Sequence, residues 1–202
     1  MAITTLVFDF GNVLGFFDQV RAIRQLSMLT DVSAAVIRER LFTSELEDAY
    51  ESGRISTPEL LKHARQLCGF RGSDEDIESA FANMFWPNYG VCQLVPGLKP
   101  RYQLFLLSNT NDMHCRRFRR QFADTLAHFD GLFFSHELGM RKPHPGIYHH
   151  CLRRMRCRPA DCVFIDDSPA NIDAARACGW HGIVYTDYDG LRREFAKLDI
   201  LV

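Results

Sequence analysis

Residues 5–18 read TLVFDFGNVLGFFD: apolar side chains climb to Asp9, and the run breaks at Gly11-Asn12. A continuous apolar run of this kind, without strict alternation, fits a strand of a parallel sheet covered on both faces. That such a strand should end on a carboxylate, followed at once by glycine and asparagine, is the feature the rest of the chain must explain.

Four later segments share the pattern: Tyr102–Ser108 (YQLFLLS), Gly131–Ser135 (GLFFS), Cys162–Asp166 (CVFID) and Gly182–Tyr185 (GIVY). Segments of helical length separate them. Asn111–His128 and Pro145–Arg156 are two, and Asn171–Cys178 is a third, closed by Gly179 as a C-terminal stop. Alternating strands and helices predict an α/β fold with a doubly wound parallel sheet.

Residues 17–88 differ, because no convincing strand is found there. Ser33–Phe42, Pro58–Cys68 and Asp74–Phe85 read as amphipathic helices, with caps at Asp31 or Ser33, at Thr57 and at Ser73. The expected organisation is an α/β core from residues 1–16 and 89–202, interrupted by a helical insertion at 17–88. There is no internal repeat, low-complexity segment or long linker.

Bulk properties narrow the function classes. The chain has 202 residues, 47% hydrophobic, and a formal net charge of −1. That composition supports a real core and argues against a nucleic-acid or membrane-surface partner dominated by charge. The seven cysteines contain no CxxC pair or zinc spacing, which fits reduced thiols in a cytoplasmic protein. No stretch approaches the roughly 18 apolar residues of a membrane span.

In an open parallel sheet, ligands bind beyond the carboxyl ends of the strands. The first strand ends at Asp9, the second at Ser108-Asn109, and the fourth at Asp166-Asp167. The third leads toward Arg141-Lys142-Pro143. Three carboxylates in one cleft repel each other and tolerate proximity best around a divalent cation. All-oxygen ligation with few protein ligands suits Mg²⁺ beside a phosphate. Ser108 and Asn109 can donate to phosphate oxygens, and Lys142 supplies offsetting positive charge. A carboxylate such as Asp9 can attack phosphorus.

The segments VFDFGNVL, LLSNTN, GMRKP and VFIDDSPANI, in that order, resemble the four motifs of the haloacid dehalogenase-like (HAD) superfamily. The helical insertion resembles its subclass I cap. FDFGNVL, LSNTN and GMRKP together look most like bacterial sugar-phosphate phosphatases of the glucose-1-phosphate phosphatase kind. The resemblance implies a Mg²⁺-dependent phosphatase that acts on a small phosphorylated metabolite through an aspartyl-phosphate. It makes Asp9 the nucleophile. Ser108 and Asn109 bind the phosphoryl group, and Lys142 holds nucleophile and phosphate together. The metal takes Asp9, the backbone carbonyl of Gly11 and Asp167, with Asp166 as a supporting partner or alternate ligand. No nucleic acid or membrane partner is expected, and the chain should be a monomer or weak homodimer.

One position departs from the family. Its phosphatases usually carry a second aspartate two residues after the nucleophile, as acid and base. Here that position is Gly11. The metal contact survives, since it uses a main-chain oxygen; the proton donor does not. General acid–base help is commonly worth about 10²–10⁴-fold. Three readings remain open: a substrate with a good leaving group, a substitute such as Asp18, Glu45 or Glu47, or a weakened phospho-ligand-binding site. A haloacid dehalogenase-type reaction on a C–halogen bond is the enzymatic alternative, since halide needs no proton.

Other signals read as ordinary. The arginine runs at 116–120 and 153–158 are expected on solvated helix faces, and His149-His150 on the surface. Asn171 is either a hydrogen-bond partner of the site or a residue of the helix's first turn. Phe16, Phe17, Phe85 and Trp86 flank the expected hinges, packing there or lining a substrate pocket.

Overall fold

Leu6 and Phe8 pack into one hydrophobic cluster and Val7, between them, into another. The same split recurs at Leu104 and Leu106 against Phe105 and Leu107, and at Val163 and Ile165 against Cys162 and Phe164. Side chains of a strand alternate between faces, so both faces of this sheet are buried. That is why the strands read as unbroken apolar runs.

A computed structural model describes residues 3–202. In chain order the elements begin with β1 (Thr5–Phe8), β2 (Gly15–Phe17), α1 (Gln19–Ser27), α2 (Ala34–Leu41), α3 (Ser44–Glu51), α4 (Thr57–Cys68) and α5 (Asp74–Ala82). Next come β3 (Phe85–Pro87), α6 (Tyr89–Leu98), β4 (Gln103–Ser108), α7 (Asp112–Gln121), α8 (Ala123–Leu126), β5 (Gly131–Phe134) and α9 (Ser135–Leu138). The chain closes with α10 (Pro145–Met155), β6 (Cys162–Asp166), α11 (Pro169–Ala177), β7 (His181–Val184) and α12 (Tyr188–Lys197). The main sheet has the order β5-β4-β1-β6-β7, with every pairing parallel. β1 is central, with Phe8 paired to Leu106 on one side and Ile165 on the other. The ends of β1, β4 and β6 therefore lie side by side, which brings Asp9, Ser108 and Asp166 to one edge.

The expectation of an α/β doubly wound sheet holds. Helices α1 to α5 build a cluster of their own, centred on Ile23, Leu26, Ile37, Leu61 and Ile77. Ser33 and Ser73 cap α2 and α5 as expected, each accepting the backbone N–H three residues on, from Val36 and Asp76. At α4 the cap is Ser56 rather than Thr57, with Glu59 closing a capping box. Thr57 instead bonds Tyr50 and Asp112.

The reading of 17–88 as strand-free requires correction. β3 falls inside it and pairs antiparallel with β2, Phe16 opposite Trp86. Each strand is only three residues long, and their partners are some 70 positions apart in sequence, so neither leaves a local periodic signal. Helices α1 and α3 were also not expected there. Asn111–His128 forms two helices rather than one, with the break at Phe122.

Candidate active site

The turn after β1 explains the opening stretch. Asp9 donates its backbone N–H to Ile165 O at 2.8 Å, extending the ladder one residue past the strand. Phe10 points back into the core, stacked on Phe118 at 4.1 Å and edge-on to Phe122 and Phe85. This anchors the Asp9 backbone from below. Asn12 adopts φ 56°, the left-handed region that asparagine tolerates better than most residues. From there its Nδ2 donates to Asp167 Oδ2 at 2.8 Å, tying the first loop to the loop after β6.

Lys142 is the hub. Its ammonium lies 2.8 Å from Asp9 Oδ1 and 2.7 Å from Asp166 Oδ2, and donates to Leu107 O at 2.9 Å. All three donor sites of the ammonium have partners. The Lys142 side chain is 1% exposed, Asp166 0% and Asp9 11%, so the charges have little water to share. Burial pushes the Asp9 carboxyl up to about 7, with Lys142 offsetting part of that cost. Burial would lower the Lys142 pKa, but the charges of Asp9 and Asp166 outweigh it and hold the ammonium protonated.

Asp166 spends both oxygens inside the protein. Oδ1 accepts the backbone N–H of Ser168 at 2.8 Å and Asn171 Nδ2 at 3.0 Å; Oδ2 accepts Lys142 and, at 3.1 Å, Asn171 again. Asn171 is thus a hydrogen-bond partner of the site as well as a first-turn residue of α11. Asp167, half-buried, points its carboxylate toward the same place. One oxygen each from Asp9, Asp166 and Asp167 lie within 4.8 Å of one another.

Ser108 and Asn109 sit at the end of β4. Ser108 is buried at 2% exposure. The Asn109 amide is committed to the Lys142 loop: its Nδ2 donates to Lys142 O at 2.9 Å, and its Oδ1 accepts Lys142 N–H at 2.8 Å. Its main chain, rather than its side chain, is left to meet a ligand. Gly11 adjoins Asp9; a Cβ there would stand 3.2 Å from Phe17 Cε1 and 3.8 Å from Asp9 Oδ2. Phe17 thus covers the side of residue 11 from which a longer side chain would project.

A cavity opens above this group. Gly11, Ser108, Asn109 and Thr110 form its floor, Phe17 and Phe85 of the β2–β3 ribbon one wall, and Gln19, Glu47 and Glu51 the helical side. The aromatic ribbon therefore lines a pocket in addition to packing. His114 borders the cavity between the rings of Phe81 and Phe85, at centroid distances of 4.9 and 5.2 Å. Burial lowers its pKa to about 4, so it is neutral at pH 7. Of the substitutes considered from sequence, Asp18 caps α1 by accepting Val20 N–H at 2.8 Å, and Glu45 is exposed. Only Glu47 reaches the cavity rim.

Glu51 escaped the sequence reading, and Arg141, named there beside Lys142, was given no role. Glu51 is an acid in the last turn of α3, at the end where the helix dipole disfavours negative charge. That misplacement was the available signal. Arg141, inside the motif that carries Lys142, pairs with Glu51 Oε2 at 2.8 Å and with Asp48 Oδ1 at 2.9 Å. Burial pushes the Glu51 carboxyl up to about 7, opposed chiefly by Arg141.

The carboxylate set fits a hard divalent cation. Its donors are all oxygen, they converge within one small space, and burial alone leaves Asp9 short of positive charge. Among the described residues, no helix is long and apolar enough to cross a membrane.

Comparison with known proteins agrees with this geometry. Residues 3–179 match the model of the haloacid dehalogenase-like hydrolases. The chain is 27% identical over 184 residues to a D-ribitol-5-phosphate phosphatase of Bacteroides thetaiotaomicron, covering 88% of this chain and 89% of the relative. It is 28% identical over 187 residues to a sesquiterpene phosphatase of Aspergillus oryzae, covering 90% and 89%. A crystal structure of a HAD family enzyme from B. thetaiotaomicron, in complex with magnesium and inorganic phosphate, superposes with a TM-score of 0.80. The identity there is 26%, over 94% of this chain and 99% of the other. With the motif order, the sheet topology and the match over residues 3–179 in agreement, the chain belongs to the haloacid dehalogenase-like hydrolase family.

Proposed function

We propose that this protein is a Mg²⁺-dependent phosphatase that hydrolyses a small phosphorylated metabolite, of the sugar- or polyol-phosphate class, through an aspartyl-phosphate. The observation that carries this reading is the Lys142 ammonium held between Asp9 and Asp166, 2.8 and 2.7 Å away, beside Asp167. A carboxylate so held is aimed and kept from wandering, and the positive charge offsets the approach of a phosphate dianion.

In this reading Asp9 attacks phosphorus while the alcohol leaves; water then cleaves the acyl phosphate and regenerates Asp9. Lys142 orients the nucleophile and screens the charge on both reactants. Ser108 and the main chain of residue 109 bind phosphoryl oxygens. Asp9, the Gly11 carbonyl and Asp167 would hold Mg²⁺, which supplies Lewis-acid charge to the phosphoryl group. Asp166, with both oxygens engaged, holds Lys142 in place rather than ligating the metal. We also propose that residues 17–88 act as a cap over a core of residues 1–16 and 89–202. The β2–β3 ribbon, where the chain leaves the sheet and returns, supports that division.

The test is a panel of D-ribitol 5-phosphate, sugar phosphates, acetyl phosphate and p-nitrophenyl phosphate, with and without Mg²⁺. Phosphate release should need Mg²⁺ and disappear in Asp9→Asn. Chloride release from haloacetates, with no phosphate released from any ester, would overturn the reading in favour of C–halogen hydrolysis.

A further inference from the structure

Gly11 leaves the leaving-group oxygen without its usual proton donor, and Phe17 covers the space beside it. We propose that Glu51, at the end of cap helix α3, is the general acid and base of this site. The inference rests on the phosphatase reading above.

Glu51 reaches the site from α3, held there by its ion pair with Arg141. It lines the same cavity as Gly11, Ser108 and Thr110, and its side chain is 10% exposed. Arg141 holds Oε2, while no hydrogen bond engages Oε1 among the described residues. One oxygen is therefore anchored and the other is available to a ligand. Arg141 directly precedes Lys142, so the donor is positioned from the loop that positions the nucleophile.

The charged groups facing Glu51 are few. Arg141 and Lys142 favour the carboxylate, and Glu47, one turn earlier on α3, disfavours it. Asp48 draws on the same Arg141 guanidinium. Across the contact between α3 and α9 stand His136 and Glu137. Burial lowers the pKa of His136, as it does that of His114. Burial of Glu51 dominates the balance and brings its carboxyl to about 7, where both protonation states are populated.

The proton balance closes. As the bond from phosphorus to the ester oxygen breaks, protonated Glu51 gives its proton to that oxygen, releasing a neutral alcohol and leaving Glu51 as carboxylate. In the second half, the carboxylate takes a proton from water while the water oxygen bonds to phosphorus. Asp9 leaves as carboxylate, and Glu51 is again protonated. No redox partner is required. Because the donor comes from the cap, chemistry requires the cap closed over a bound substrate.

The test uses the full-length protein with Mg²⁺ and compares D-ribitol 5-phosphate with p-nitrophenyl phosphate. In Glu51→Gln, turnover of the alkyl ester should fall about 10²-fold or more, the usual worth of a proton donor. With the nitrophenyl ester, the first step needs no proton. It should give a burst of one nitrophenol per enzyme, followed by slow turnover and an accumulated aspartyl-phosphate. The wild-type rate should depend weakly on leaving-group acidity, and the variant rate steeply. An equal fall on both esters without a burst, or no fall, overturns the proposal and leaves the phosphatase reading intact. Should Glu51→Gln fail to fold, a steep leaving-group dependence in the wild type overturns it on its own. Turnover that survives Asp9→Asn, or none in the wild type, overturns both readings.

Discussion

Lys142 Nζ lies 2.8 Å from Asp9 Oδ1, with the lysine 1% and the aspartate 11% exposed, so the pair meets little water. Removing the ammonium leaves Asp9 and Asp166 as neighbouring buried acids with no counter-charge. Lys142→Met should reduce turnover roughly 10²–10³-fold, as loss of a preorganised charge partner does. Breaking a buried pair by removing one partner typically costs about 3–5 kcal/mol, so the variant should also melt earlier. That loss should be larger at pH 8 than at pH 5, where protonation of Asp9 relieves it. Steady-state kinetics and denaturant melts at both pH values check this.

Asn171 donates to both oxygens of Asp166, at 3.0 and 3.1 Å, without lining the cavity. Its removal should let Asp166, and with it Lys142, lose its fixed orientation. Asn171→Ala should cost about 1–3 kcal/mol of stability, the scale of a hydrogen bond to a buried charge. It should lower kcat with little change in KM. A change confined to KM would count against a positioning role.

Asp167 is the half-buried acid of the carboxylate group, held by Asn12 at 2.8 Å. A cation at about 100 times its Kd stabilises the folded state by about 2.7 kcal/mol. In a chain of this size that corresponds to several degrees of Tm. Mg²⁺ should raise the wild-type Tm accordingly, and Asp167→Asn should abolish most of the rise. Thermal melts with Mg²⁺ and with EDTA measure both arms.

Glu51 carries a stability signature separate from its proposed chemistry. Its carboxyl stands near 4.5 in the unfolded chain and at about 7 in the folded one. Between these values the folded state binds the proton more tightly, so stability falls as pH rises. The contribution is complete below about pH 4.5 and lost above about pH 7, an amount on the order of 3 kcal/mol. In Glu51→Gln the part of the slope owed to Glu51 should disappear, leaving the part that Asp9, also raised to about 7, contributes in both proteins. Urea melts of both proteins across pH 4.5–8, without Mg²⁺, test it.

Much of this was written locally in the chain. The doubly wound sheet was legible because β1, β4 and β6 are buried on both faces and keep apolar residues at nearly every position, and because shorter apolar runs mark the edge strands β5 and β7. The acids at Asp9 and Asp166-Asp167 were legible because strand ends in such a sheet converge whatever the loops do. The Asn12 turn was marked by its residue types. By contrast, β2 and β3 are three residues each and are defined only by pairing with each other. α1 and α3 were missed, although Asp18 and Thr43 cap them, because short polar helices take their stability from a shared core rather than from their own sequence.

The sheet, the edge that carries the site, and the acids and lysine that meet there follow from short-range pattern and from rules of strand order. What faces them follows from packing between distant segments. Asn109 spends its amide on the Lys142 loop, Phe17 covers Gly11, and Arg141 draws Glu51 from a distant helix into the same cavity. Those relations join segments tens of residues apart through packing and buried charge, which no local periodicity encodes.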